Sequence, residues 1–568
     1  MTQERRLRIL GLVVLLVFGG AWLRAVQLTT VSAKDLESKL EEGRQPQTIA
    51  APRGLVTDRK GLVLAISEAA SDVSATPYMI DDPMKAAAEL SPLVDVPSGE
   101  LLKKLSTDDG FVWVAKLVPE AQAKKIRALG IPGVTLTPRT RRQYPQTTVA
   151  AQLIGFSGID GNGLAGLELA LERVLKGADG KRLLVRGRGG ADGKPGKVVY
   201  IKDEKPVTPG RSVRLTLDAR IQARAEDELA EVGTAQKARS ATAIVMQPST
   251  GEVLALASWP KIDANDPLSA PGEAQSIQGT HFTYEPGSTF KPFTVAGAIE
   301  EDKVTPDTRF SLPYEYQVAD RKIKDSHPDA DGTGTVSEIL AESSNIGTIQ
   351  IAQRLGETKF DQWIRKFGFG QRTGVGLGDQ EERGRLLPVD QYSGSSIGNL
   401  PIGQGELVTP MQLATGYATI ANDGIREQPT LVDQIDGKAP GKQASRRIIS
   451  ASTARKMRAM LTKTTETGGT ATNVKIPGYA VAAKTGTANK VIPGKAEYSK
   501  FLYTSSIIGM APASKPRVVV AVIVDEPKSG IYGAAVAGPA FQQLTRWTLN
   551  YLGVPPDQAS GNASTPAG

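Results

Sequence analysis

Ala243-Ile244-Val245-Met246-Gln247-Pro248-Ser249-Thr250-Gly251-Glu252-Val253-Leu254-Ala255-Leu256-Ala257 decides the fold. Two apolar runs flank Pro-Ser-Thr-Gly, where proline presets φ and glycine supplies φ > 0, so the stretch predicts two antiparallel strands joined by a tight turn. Upstream, Ser212 to Leu217 alternates as a strand should, and Ala219 to Val232 has helical periodicity. Downstream, Ser288 opens a helix ending near Glu301, with Pro292 tolerated in its first turn. Helices follow over 335–356, then a strand at Val481-Ala482-Ala483-Lys484-Thr485-Gly486-Thr487, strands over Tyr503 to Met510 and Arg517 to Asp525, and a helix from Pro539 to Leu552. This order predicts an α+β domain, an antiparallel sheet with helices packed on it.

The N-terminal third reads differently. Arg5, Arg6 and Arg8 precede an uncharged run from Ile9 to Leu23, and Arg24 can snorkel and let the helix continue to Leu28. We read residues 1–8 as a cytoplasmic N-terminus and 9–28 as a transmembrane anchor; the rival is a signal peptide cleaved after the small-x-small triplet Val31-Ser32-Ala33. Either way the arginines stay inside and the body is exported. Stalk and pedestal occupy 29–209, with Gly43 closing the stalk helix, a hairpin around Asp58 to Gly61, a helix over Ala121 to Leu129 stopped by Gly130, and a Gly- and Lys-rich hairpin or loop over 176–197. A boundary falls near Pro209-Gly210, the globular C-terminal domain runs over 210–553, and the small polar residues of 554–568 predict disorder.

Composition excludes several chemistries. With no cysteine there is no thiol nucleophile, disulfide or zinc-thiolate site, and with only His281 and His327 a Ser-His-Asp triad or His-based metal site is improbable. The net charge of +8 comes from 68 basic and 60 acidic residues that are interspersed, without an RNA-binding motif; nucleic acid is not expected as a partner, and so modest a bias fits an anionic membrane surface or cell wall equally well.

Catalytic chemistry enters at Glu285-Pro286-Gly287-Ser288-Thr289-Phe290-Lys291. Residues three apart share a helix face, so Lys291 can reach back toward a Ser288 nucleophile. A solvated lysine is protonated at neutral pH and cannot act as a base, so Lys291 must be depressed by burial, with Phe290 and Phe293 as an apolar wall, and by a second cation. The same spacing at Ser258 and Lys261 encloses Pro260 after a strand-like run and is set aside as a decoy, as is Ser560-Gly561-Asn562 in the tail.

Ser288-x-x-Lys291, Ser343-x-Asn345 and Lys484-Thr485-Gly486 occur in the order found in penicillin-binding proteins and class A β-lactamases. Together with Arg53-Gly54, Asp58-Arg59-Lys60-Gly61, Arg142-Gln143-Tyr144-Pro145, Gly166-Leu167-Glu168 and Val408 to Ala414, they make the chain resemble a class B penicillin-binding protein of the division type over nearly its whole length. The resemblance implies a five-stranded antiparallel sheet between helical layers and a peptidoglycan DD-transpeptidase without metal or organic cofactor. Ser288 would form the acyl-enzyme, Lys291 would be the base, Ser343 would pass a proton to the leaving amine, and Asn345 would orient Lys291. Lys484 would be the second cation and draw in the substrate carboxylate, Thr485 and Thr487 would bind that carboxylate, Gly486 would let substrate approach the strand, and the N–H groups of Ser288 and Thr487 would form the oxyanion hole.

The implied partners are stem peptides on lipid-linked or nascent glycan, β-lactams, a polytopic glycan polymerase and other division proteins. One departure is Gly533-Ala534, where relatives often have Gly-Gly. An elongation-type transpeptidase, a serine β-lactamase and a non-catalytic division scaffold are the rival readings. A glycosyltransferase is not expected, since its acidic motif is absent and 34–209 lacks the helical character it needs.

Overall fold

The computed structural model describes residues 3–42, 44–186, 198–325, 332–441, 443–492, 494–495 and 497–558. Gly43, His327 and the tail decoy at Ser560 and Asn562 lie outside the described residues. The chain divides into two compact units.

The first unit comprises residues 1–53, 67–141 and 176–210. It begins with the helix Gln3–Glu42, in which Arg8–Gln27 is long and apolar enough to cross a membrane. The strands Arg44–Ile49, Gly180–Arg186 and Val198–Lys205 form one antiparallel sheet, so the glycine-rich segment is flanked by a hairpin-like pair and its middle lies outside the described residues. A separate core packs strand residues Val73 and Val114 against Leu90, Leu101, Leu105 and Ile126 of three helices. The last of these, Glu120–Leu129, ends at Gly130 with φ 62°, the left-handed cap that favours glycine.

The second unit comprises 54–66, 142–175 and 211–568. Stretches 54–66 and 142–175 of the 29–209 segment thus pack with this unit. The reason is a buried polar clamp. Arg142 Nε donates to Glu168 Oε1 at 2.6 Å, Arg142 Nη1 donates to the Gly54 carbonyl at 2.8 Å, and both charged side chains are almost fully shielded. Gly54 has no alternative, because a Cβ there would lie 1.8 Å from the Arg211 carbonyl oxygen. The backbone N–H of Ala150 donates to Glu226 at 2.7 Å and Gln152 donates to the Pro260 carbonyl at 2.7 Å, fixing 142–175 to this unit. Breaking such a buried ion pair on one side costs about 3–5 kcal/mol, so these segments are held firmly.

The sheet of this unit has five antiparallel strands, β1 (Ser240–Met246), β2 (Val253–Trp259), β3 (Ala482–Val491), β4 (Tyr498–Ala511) and β5 (Val518–Asp525), in the order β2-β1-β5-β4-β3. The opening hairpin forms as its sequence predicts, with Gly251 at φ 74° in the turn. Alternation splits the sheet's side chains between two cores. Ala243, Val245, Val520 and Val522 face α1 (Ala219–Ala235), while Ile244, Met246, Val519 and Ala521 share the other core with buried residues of α2 (Lys291–Glu300). That second core also takes in α3 (Val336–Glu342), α4 (Asn345–Leu355), α5 (Pro410–Ala421) and α6 (Ala451–Lys463), and α7 (Gly538–Tyr551) joins α1 on the first. The sheet is thus sandwiched between helical layers, and β3, which carries Lys484-Thr485-Gly486, is an edge strand.

The helix expected to open at Ser288 differs in detail. Gly287–Phe290 is a 3₁₀ turn, and the α-helix starts at Lys291. In 3₁₀ geometry residues i and i+3 eclipse, which keeps Ser288 and Lys291 on one face. The decoy Ser258 lies on strand β2 and accepts from the N–H of Gln278 at 3.2 Å, while Lys261 pairs with Asp227 at 2.8 Å.

Candidate active site

Three elements meet at one cleft of about 1060 Å³ lined by Ser288, Ser343, Thr485, Gly486 and Thr487. Lys291 bonds Ser343 and Asn345, and Lys484 precedes Thr485 on the same strand, so the structure brings the candidate site residues together. The nucleophile turn lies against the edge strand. A Cβ on Gly486 would come within 2.6 Å of Ser506 Oγ and 2.9 Å of the Pro286 carbonyl oxygen, and one on Gly287, at φ 55°, would sit 3.2 Å from the Thr487 carbonyl oxygen. Gly486 is thus required to seat the turn, a different reason from substrate approach.

Lys291 is fully buried. Its Nζ donates to the Ser343 carbonyl at 2.5 Å, to Asn345 Oδ1 at 2.8 Å and to Ser343 Oγ at 3.2 Å. Among the described residues Ser288 Oγ makes no hydrogen bond, so the expected Ser288–Lys291 contact is unmade in this state. Catalytic hydrogen bonds are often formed only in the substrate complex. Of the three acceptors around Lys291, the Ser343 hydroxyl alone can also donate, so it can face either an ammonium N–H or an amine lone pair. The cradle therefore accommodates both protonation states, with Ser343 as the side on which the proton can enter or leave.

Burial pushes the Lys291 ammonium down to about 7, against the opposing pull of the Asp325 carboxylate. Lys484 is also fully buried, its Nζ donating to its neighbour's carbonyl, that of Thr485, at 3.2 Å. Burial first and the Lys291 charge second hold Lys484 well below the ordinary lysine value. Desolvation is the leading cause for both lysines, and the repulsion between the two ammonium groups is mutual, so each disfavours the charged form of the other. A carboxylate entering the cleft would remove that penalty and favour a charged Lys484.

The aromatic wall is larger than Phe290 and Phe293. Phe367, Phe369 and Tyr417 complete a buried ring cluster, and Tyr417 Oη donates to the Thr289 carbonyl at 2.9 Å, tying the nucleophile turn to α5. Tyr417 was findable from helical spacing, since it follows Leu413 by one turn on an all-buried helix. Asp325 had no such signal, because its partners in α4 are some twenty residues away. Thr485 Oγ1 donates to Thr470 Oγ1 at 3.2 Å, and Thr487 Oγ1 accepts from the N–H of Gly533 at 3.1 Å. Gly533 is the position that must be glycine, since its Cβ would lie 2.3 Å from the Ser506 carbonyl oxygen; Ala534 lines the cleft without such a conflict. Among the described residues no cluster of metal-ligating side chains occurs.

A model of the penicillin binding protein transpeptidase domain matches residues 241–546, and one of the penicillin-binding protein dimerisation domain matches 48–215. The probable peptidoglycan D,D-transpeptidase PenA of Neisseria meningitidis is 34% identical, covering 98% of this chain and 94% of its own length. Peptidoglycan D,D-transpeptidase FtsI of Escherichia coli is 31% identical, covering 90% and 85%. Among solved structures, penicillin binding protein 3 from Mycobacterium tuberculosis in complex with aztreonam is similar with a TM-score of 0.70 at 28% identity, covering 91% of this chain and 100% of that one.

Proposed function

The chain belongs to the penicillin-binding protein transpeptidase family, class B, and from that premise we propose that it cross-links peptidoglycan stem peptides through an acyl-enzyme on Ser288 during septal wall synthesis. The observation that carries this is the meeting of Ser288, Ser343 and the Thr485-Gly486-Thr487 strand on one cleft, with the buried Lys291 bonded to Ser343. Neutral Lys291 takes the Ser288 proton as Oγ attacks the carbonyl of the penultimate D-Ala. The N–H groups of Ser288, in the first turn of a helix where such donors lack intrahelical partners, and of Thr487 on the edge strand receive the oxyanion. Collapse breaks the amide bond, and the proton passes from Lys291 by way of Ser343 to the departing D-Ala amine. The amine of a second stem peptide then attacks the ester, its proton returns to Ser288 Oγ through Lys291, and the cross-link is released. Thr485, Thr487 and a recharged Lys484 hold the donor carboxylate, and Asn345 orients both substrate and Lys291. A β-lactam enters by the same acylation.

The Arg8–Gln27 window supports a single-pass anchor, and Arg5, Arg6 and Arg8 support a cytoplasmic N-terminus by the positive-inside rule, with the catalytic unit outside. In this reading the anchor and the dimerisation-type segment bring a polytopic glycan polymerase and other division proteins. The test is reconstitution of the full chain with lipid-linked precursor and a glycan polymerase, following D-Ala release against cross-links. Stoichiometric D-Ala and cross-linked product support the transpeptidase; D-Ala or opened β-lactam without cross-links points to a hydrolase. Co-purification from membranes with an elongation polymerase alone would overturn the septal assignment.

A further inference from the structure

We propose that Asp325, together with the carbonyl of Lys324 beside it, is a positioning residue for acylation that fixes Asn345 and Ser343 against Lys291. The inference rests on the Ser288 acyl-enzyme reading and adds to it a residue outside the three motifs.

The sequence places Asp325 just beyond a small hairpin, Tyr316–Val318 paired with Arg321–Ile323. That hairpin is not free-standing. Val318 is buried with Ile349 and Ala352 of α4 and with Ile397 and Ile402, and Tyr316 Oη donates to Gln353 Oε1 at 2.7 Å. This packing brings Lys324 and Asp325 to the N-terminus of α4. There the Asp325 carboxylate accepts from Ser344 Oγ at 2.7 Å, from the N–H of Asn345, and from the N–H of Ile346 at 3.1 Å. A carboxylate on the open N–H groups of a helix is favoured by both hydrogen bonding and the helix dipole.

The consequence for chemistry lies in Asn345. Asp325 holds its backbone, and the Lys324 carbonyl accepts from its Nδ2 at 3.2 Å. With Nδ2 committed, the amide has one orientation left, and Oδ1 must face Lys291. Ser343 has φ 66°, an unusual conformation for a residue with a side chain, and it lies between the C-terminus of α3 and this clamped start of α4. Holding α4 therefore also holds the Ser343 carbonyl and hydroxyl on Lys291 Nζ. A capping carboxylate with no other duty would stabilise α4 without setting the amide of Asn345, and that difference is measurable.

Charge supplies an independent readout. Lys291 is faced by Asp325 from the hairpin side and by Lys484 from the edge strand. Glu338 and Glu342 of α3 line the same cleft, with Glu338 engaged in its own capping box with Thr335. Asp325 favours the charged form of Lys291, so its neutralisation moves the titration of Lys291 to lower pH.

The experiment measures acylation of the full detergent-solubilised chain by a fluorescent penicillin as a function of pH for wild type, Asp325→Asn and Asp325→Glu, with Ser288→Ala as reference and thermal melting of each. Asp325→Asn should slow acylation at the plateau by up to roughly 10²-fold, the cost of misplacing a catalytic group by about 1 Å, and should shift the acid limb to lower pH. Asp325→Glu keeps the charge one methylene further out, so its acid limb should stay at the wild-type position while its rate stays low. A wild-type rate and an unmoved limb in Asp325→Asn, or a loss that only follows the unfolded fraction, would overturn the proposal. If Asp325→Asn does not fold, a folded Asp325→Glu acylating at the wild-type rate overturns it equally. Labelling of Ser288→Ala, by contrast, would overturn the nucleophile itself.

Discussion

Lys291 Nζ donates to Asn345 Oδ1 at 2.8 Å across 54 positions of sequence, joining the first two motifs inside the protein and not merely along the cleft. Removing the amide in Asn345→Ala should leave Lys291 with one acceptor fewer and a free arc of motion. The second-order rate of acylation by a penicillin should fall roughly 10²-fold, with the melting temperature changed much less in proportion. Asn345→Asp places a carboxylate on the amine, raising the Lys291 pKa, so its acylation should require higher pH than wild type.

The buried amine sets the pH profile. With Lys291 at about 7, acylation should rise through neutral pH and level off above it, as the base form fills. Stability carries the same signature with a worked sign. The folded state binds fewer protons at Lys291 than the unfolded chain between about 7 and the ordinary lysine value of 10.5, so stability rises with pH across that window. Lys484 contributes in the same direction. Lys291→Met should flatten the slope, measured by urea midpoints from pH 7 to 10.

Gly486 and Gly533 hold the edge strand against its neighbours. Gly486→Ala would place a methyl 2.6 Å from Ser506 Oγ and 2.9 Å from the Pro286 carbonyl oxygen. Overpacking of this kind costs about 1–3 kcal/mol, and here it would also push the nucleophile turn away from Thr487. Both melting temperature and acylation rate should drop.

Tyr417 supports the nucleophile turn from behind. Tyr417→Phe removes only the hydroxyl that bonds the Thr289 carbonyl, leaving the ring cluster in place. The stability cost should be about 0.5–1.5 kcal/mol, read from denaturant midpoints, with slower acylation at unchanged pH dependence.

Local rules carried the second unit a long way. The hairpin at 240–259, helix α1 and the three late strands formed where alternation and periodicity put them, because each buries a face that its own sequence marks. What was not legible depends on packing between distant segments. Nothing in the spacing of Arg142, Glu168 and Gly54 says that they meet, so the clamp between them appears only in the structure. The same holds for Asp325 and for Thr470, whose partners are set by tertiary contacts. The motif residues are legible in the sequence, but the full burial of both lysines, which is the leading cause of their depression, is set by tertiary packing.

The most direct measurement is covalent labelling of the intact chain by a fluorescent penicillin, followed by peptide mapping of the adduct. The account predicts one stable acyl group on Ser288, absent in Ser288→Ala and formed at least roughly 10²-fold more slowly in Lys291→Ala. An adduct on any other residue, or undiminished labelling of Ser288→Ala, would contradict it.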